Sequence, residues 1–337
     1  MKQYIEKCLN GEHLTAEEAG DALDRIMTGQ ATDIQIAGLL IALRAKGESV
    51  EEITGFARAM RSHALHVSVE DPDAIDMCGT GGDGRGTFNI STVATFVAAG
   101  AGVTVAKHGN RSVSSRSGSA DILAALGVNI QIPPQQVQEC INGVGVGFLF
   151  APSFHPAMKF AAKPRSELAT RTIFNILGPM TNPAGVRRQL VGTFSVDLAA
   201  KLAAVFLRLD AIKALVVHST DGMDEISVAA PTTVFEADAR NDVQRRDLQP
   251  SDFGIEQGTH ASMAGGTVDE NARIARAILH GEKVPGREVV LINASAGIYV
   301  AGKTHSFQEA KSMAVESIDS GRAFRALSRL IEFSNRV

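Results

Sequence analysis

DMCGTGGDGRGTFNIST (residues 76–92) and VAKHGNRSVSSRSGSAD (residues 105–121) each leave a short apolar strand, pass through a loop of small residues and enter a helical run. Gly79, Gly81, Gly82 and Gly84 let the first loop take positive φ and approach a ligand closely, because no Cβ stands in the way. Asn89 and Ser91 are candidate N-caps for a helix over 92–100, whose free N–H groups and dipole end favour an anion. The second loop adds full positive charge from Lys107 and Arg111, and hydroxyls from Ser112, Ser114, Ser115 and Ser119. A single glycine turn between strand and helix often serves geometry alone. Two such loops thirty residues apart point to a site for a phosphorylated ligand. Neither GxxxxGK[ST] nor GxGxxG spacing is present, so the two familiar nucleotide fingerprints do not apply.

Working outward, apolar strands over 75–78, 103–106, 147–151 and 214–218 alternate with helical runs, which predicts a mainly parallel sheet flanked by helices. Ligands in such sheets sit beyond the C-terminal strand ends, where both loops begin. Residues 1–70 read instead as helices only. Thr15 with Glu18, Thr32 with Gln35 and Ser49 with Glu52 have capping-box spacing, and Gly47 stands where a helix would end. The fold class is therefore α/β, with a small helical N-terminal domain (1–70) and a larger α/β domain (71–337). A segment near 165–185 forms a hinge, where Pro164, Pro179 and Pro183 interrupt regular structure. Residues 238–252 are polar and read as a loop. The run 288–300 fits strand or helix equally, and amphipathic helices follow from 305 onward.

At 337 residues with 45% hydrophobic and 21% charged side chains and a net charge of −4, the chain has core enough for one or two domains and no global basic bias toward nucleic acid. Aromatic residues are 5% with no Trp, which disfavours stacking on single strands. Cys8, Cys78 and Cys140 lack metal or disulfide spacing and read as free thiols of a cytoplasmic protein. The polar N-terminus does not resemble a signal peptide, and no apolar run approaches the ~20 residues of a membrane helix. In HSTDGMDEIS (218–227), Asp224 and Glu225 follow a strand and a glycine turn. Their hard oxygens suit Mg²⁺, but on its own such an adjacent pair is most often a solvated turn.

GTGGDGRGTFNIST and KHGNRSVSSRSGSAD, together with HPAMKFAAKPRSEL (155–168), RTIFNILGPMTNPAG (171–185), HSTDGMDEIS and GGTVDENA (265–272), resemble the anthranilate phosphoribosyltransferase family in order and spacing, over most of the chain. This family shares its fold with pyrimidine nucleoside phosphorylases. The resemblance implies transfer of a phosphoribosyl group from phosphoribosyl diphosphate to the amine of anthranilate in tryptophan biosynthesis, with Mg²⁺ and a homodimer formed through the helical domain. It implies a donor site of Gly79, Gly82, Asp83, Thr87, Asn89, Ile90, Ser91, Thr92, Lys107, His108, Gly109, Asn110, Arg111, Ser112, Val113, Ser114, Ser115 and Ser119. It places anthranilate at Gly79, Asn110 and Arg165, and Mg²⁺ at Ser91, Asp224 and Glu225. It also favours helix over 288–300. Arg171 and Asp221 carry no assigned role. His108 either orients the acceptor or hydrogen-bonds the backbone of its loop. Two positions depart from the family pattern: Ala169 where glycine is usual, and Thr267 where aspartate is usual. A nucleoside phosphorylase, a nucleic-acid-binding relative and a helical dimerisation module are the alternatives; the KHGNRS loop, the net charge and the complete donor loops argue against each in turn.

Overall fold

The computed structural model describes residues 1–111 and 117–336. Four helices open the chain: Lys2–Leu9, Ala16–Met27, Asp33–Lys46 and Val50–Ser62. Thr15, Thr32 and Ser49 each accept a bond from the third helical amide, and Glu18, Gln35 and Glu52 bond back to the cap amide, so two orphan donors are satisfied at each start. Gly47, at φ +83°, ends the third helix in a conformation that costs a Cβ-bearing residue most. Glu52 is fully buried, and it also accepts Leu14 N–H at 2.9 Å and Lys46 Nζ at 2.6 Å.

Seven strands follow: β1 (Ile75–Gly79), β2 (Val105–Gly109), β3 (Val146–Phe150), β4 (Arg188–Gly192), β5 (Lys213–Ser219), β6 (Thr232–Asp238) and β7 (Asp242–Leu248). They form one sheet in the order β3-β2-β1-β4-β5-β6-β7, parallel through β5, with β6 and β7 added antiparallel. Successive side chains of a strand point to opposite faces. Leu190, Leu215 and Val217 accordingly join one apolar core with the helices Ile90–Gly100 and Arg287–Val300. Val191, Ala214 and Val216 join another, which runs through the helix Val196–Arg208 into the N-terminal helices. Each aliphatic side chain fully buried this way is worth about 1.5–3 kcal/mol, so both faces of the sheet are held firmly.

Four expectations need correction. Residues 242–248 are an edge strand, although DVQRRDL is polar; a two-strand turn with Asp242 at φ +63° supplies the pairing, and an edge tolerates charge on its open side. The helix of the first loop begins at Ile90, so Ser91 lies in its first turn and is not a cap. Asn89 occupies the cap position but makes no side-chain cap bond. Pro164 lies inside the helix Lys159–Leu168, which a chain of short turns from Ala151 onward leads into. The run 287–300 is a helix, and two more, Phe307–Asp319 and Arg322–Ser334, close the chain.

Candidate active site

Both small-residue loops leave the C-terminal ends of neighbouring parallel strands, β1 and β2, as the topology rule for such sheets requires. The acidic loop after β5 meets them there. Gly79 and Gly192 end adjacent strands, and Asp224 packs on both: a Cβ at Gly79 would lie 2.9 Å from Asp224 Oδ2, and one at Gly192 would overlap the Asp224 carbonyl. Glycine at these positions admits the acid to the strand ends. Asp224 Oδ2 then accepts Gly81 N–H at 3.0 Å, and Glu225 Oε1 accepts Ser91 N–H at 3.2 Å. Residues more than 130 positions apart in sequence are thereby joined by two bonds.

Asp83 belongs to the same cluster, since its Oδ2 accepts Asp224 N–H at 3.4 Å. Burial, then the neighbouring Asp83, pushes the Asp224 carboxyl up to about 7. Burial, then Asp224, pushes Glu225 up to about 8, partly offset by Lys107 and the Ser91 amide. Carboxylates crowded at low dielectric resist ionising together, and a cation relieves that cost. Among the described residues there is no group of three His, Cys, Asp or Glu side chains placed to hold a metal by themselves. Mg²⁺ is ordinarily held by one or two carboxylates plus water and substrate phosphate, which is the kind of donor set that Asp224, Glu225 and the Ser91 hydroxyl supply.

Lys107 is buried within β2 and donates to Met77 O at 2.5 Å and to Ser91 Oγ at 3.5 Å. Burial lowers its pKa, opposed first by Asp76. Asn89 links the loops to the C-terminal region: its Nδ2 donates to Ser117 O, and its Oδ1 accepts from Ser117 Oγ and from Asn271 Nδ2. Thr87 bridges to Ala264, while Ile90 and Thr92 are buried in the first helical turn. Gly109 is packed against Ser119 Oγ and the Phe148 ring, and Ser119 donates to Asn110 O at 3.3 Å. Arg111 pairs with Asp121 at 2.8 Å. Gly82, at φ +81°, abuts the Arg171 guanidinium, which donates to the Gly82 carbonyl and stacks 4.3 Å from the Phe194 ring. Ser112, Val113, Ser114 and Ser115 lie outside the described residues.

Arg165 is half-buried, and among the described residues its guanidinium has no acidic partner; it lies 5.1 Å from the Phe174 ring centroid, and burial pulls its pKa down. A desolvated guanidinium without a counter-ion is suited to a carboxylate ligand. His108 Nδ1 is 3.1 Å from Gly178 O, and its ring lies 5.3 Å from that of His155. Burial holds His108 down to about 3, with His155 contributing, and His155 down to about 4, so both are neutral at pH 7. Among the described residues His108 Nε2 and both ring nitrogens of His155 have no hydrogen-bond partner. His155, Asp76 and Asn182 were not read from the sequence as part of the site. Asp76 carried the one visible signal, a charge in the middle of an apolar strand.

The departures have local explanations. Ala169 ends the helix Lys159–Leu168 in the left-handed region, at φ +46°, where glycine is favoured. Thr267 caps the helix Val268–Leu279 in a capping box with Glu270, a task aspartate performs equally well.

Residues 71–324 match the glycosyl transferase family, a/b domain, and residues 2–64 match the helical bundle domain of the same family. An anthranilate phosphoribosyltransferase of Moorella thermoacetica is 51% identical over 98% of this chain and 97% of its own, and that of Pelotomaculum thermopropionicum is 50% identical over 100% and 97%. The crystal structure of the Thermus thermophilus enzyme superposes with a TM-score of 0.93 at 43% identity, covering 99% of each chain. The Saccharomyces cerevisiae enzyme, in complex with PRPP and Mg, superposes with a TM-score of 0.90 at 30% identity over 100% of this chain and 98% of its own. With both domains matched in order and identity near one half along the full length, the chain belongs to the anthranilate phosphoribosyltransferase family.

Proposed function

We propose that this chain transfers the 5-phosphoribosyl group of phosphoribosyl diphosphate to the amine of anthranilate, with Mg²⁺, as a step of tryptophan biosynthesis. The observation that carries the reading is the convergence of Asp83, Asp224 and Glu225 at the first glycine loop, beside Lys107: a half-buried acid cluster in need of a cation, set against a loop suited to phosphate. The donor site comprises Gly79, Gly82, Asp83, Thr87, Asn89 to Thr92, Lys107 to Ser115 and Ser119. Asp224, Glu225 and Ser91 hold the metal, which when bound neutralises charge on the departing diphosphate. Lys107 adds a positive charge, and the amides of the first loop add dipoles that need no reorganisation.

The bond from ribose C1 to the diphosphate oxygen breaks as a bond from C1 to the anthranilate nitrogen forms, and the amine proton leaves to solvent. An aromatic amine is neutral at pH 7, so the acceptor needs orientation and no strong base. Arg165 pairs with the anthranilate carboxylate, Gly79 and Asn110 border the ring, and neutral His108 orients it through Nε2 while Nδ1 stays on the Gly178 carbonyl. On this reading each ring nitrogen has its own task.

The division at about residue 70, with 165–185 as the hinge, is part of the same reading, as are a cytoplasmic setting and a homodimer. Leu9, Ile34, Ile41 and Phe160 are exposed on the N-terminal helices and the helix packed beside them, Ile34 at 85%; we assign that face to a second copy. Ile34→Asp with Ile41→Asp is expected to give a monomer in light scattering, and an unchanged mass overturns the assignment. The reaction is tested by following anthranilate fluorescence with purified protein, phosphoribosyl diphosphate and Mg²⁺, with and without chelator. Loss of fluorescence that requires both donor and metal supports the reading. No loss, with donor binding still detectable, removes the acceptor assignment.

A further inference from the structure

We infer that Asp76 is a positioning residue for the transfer: its single carboxylate ties the second loop to the 172–183 segment and so fixes the place of the acceptor relative to the donor. The kinetic arm of this inference rests on the reaction proposed above. β1 and β2 are paired in register only at Ile75 and Val105. Past that pair, side chains replace the ladder. Asp76 Oδ1 accepts His108 N–H at 3.1 Å, and Oδ2 accepts from Asn182 Nδ2 at 2.8 Å. The same Asn182 amide donates to Ala106 O at 2.8 Å, and its oxygen accepts Ala184 N–H at 2.8 Å. Lys107 bonds in the other direction, from β2 to Met77 O of β1.

Asp76 has no exposed surface and Asn182 is 3% exposed, so neither group has water as a substitute partner. His108 is held at its backbone by Asp76 and at its ring by Gly178 O, four residues before Asn182. One carboxylate therefore anchors both His108 and the segment that its ring leans on. The bonds that tie Asp224 and Glu225 to the first loop do not involve Asp76, so the metal side has its own support.

A carboxylate is required because both partners donate. Asparagine at 76 has one accepting oxygen, and its NH₂ would face a donor, either His108 N–H or Asn182 Nδ2. Asp76→Asn thus removes one anchor at constant volume. Adding Asn182→Asp offers no rescue, because a carboxylate there would set an oxygen against Ala106 O, to which Asn182 Nδ2 donates.

In Asp76→Asn, acceptor KM is expected to rise at least tenfold and kcat to fall about a hundredfold, the scale of a ~1 Å misplacement, with the half-saturating Mg²⁺ concentration within threefold of wild type. Amide hydrogen exchange should quicken in both 107–111 and 172–183 in the single variant. A folded Asp76→Asn with wild-type acceptor kinetics overturns the inference, as does a rise in acceptor KM matched by an equal loss of Mg²⁺ affinity. If Asp76→Asn does not fold, Asn182→Ala removes the second anchor alone, and the same split between acceptor KM and Mg²⁺ requirement decides. If the wild-type protein transfers nothing to anthranilate, the reaction reading fails by itself. The exchange measurement then decides the positioning role: faster exchange in both segments upholds it, and unchanged protection in either overturns it.

Discussion

Replacing Asp224 by asparagine is expected to stabilise the metal-free protein while removing its activity. The folded-state carboxyl is raised from 3.8 to about 7, so the folded protein binds more protons than the unfolded chain between those pH values. Stability contributed by this group is then fully present below about pH 4 and is lost as pH rises through 7. One unit corresponds to 1.36 kcal/mol, which gives roughly 4 kcal/mol for the whole shift. Asp224 keeps partial solvent contact and shares its titration with Glu225 and Asp83, so the discounted gain for Asp224→Asn at pH 8 is roughly 2 kcal/mol. Urea unfolding in chelator at pH 4.5, 6 and 8 measures it, and the difference between variant and wild type isolates Asp224 from other titrating groups. Saturating Mg²⁺ with donor should narrow or reverse the difference, because the wild type alone gains the ligand's binding energy. Turnover should fall at least a hundredfold, the usual cost of one lost charge stabiliser. A variant no more stable than wild type at pH 8 in chelator refutes the reasoning that these acids are crowded and uncompensated.

Arg165→Lys should raise acceptor KM ten- to thirtyfold with donor KM unchanged, since an ammonium cannot reproduce a bidentate carboxylate pair; steady-state kinetics with each substrate varied in turn checks it. Ala169→Gly should raise stability by about 1 kcal/mol, read from the urea midpoint, because φ of +46° is strained for alanine. The imidazoles of His108 and His155, held down to about 3 and about 4, should show no titration by NMR above pH 5. Their contribution to stability is present above the unfolded value of about 6.5 and is lost as pH falls through 4. An acid limb near pH 6.5 in kcat that follows His108 would contradict a neutral orienting role.

The local features of this chain were set by its sequence, because they depend on groups a few residues apart. The three capping boxes place side-chain oxygens three positions from the amides they satisfy, and Gly47 ends its helix where a Cβ would be strained. The alternation of apolar strands and helical runs determined the parallel sheet, and with it the end of the sheet at which both glycine loops open. Residues 242–248 escaped that reading because an edge strand needs no apolar pattern when its partner supplies the ladder. Pro164 was misread as a breaker because a helix can absorb one lost amide when its other face is packed. Tertiary structure alone decided the chemistry's surroundings. Which carboxylates crowd together, how far burial raises them, and that Asp76 reaches both His108 and Asn182 all depend on contacts between segments about 30 to 140 residues apart. No periodicity records those contacts, because desolvation and charge coupling depend on distance in space and are blind to distance along the chain.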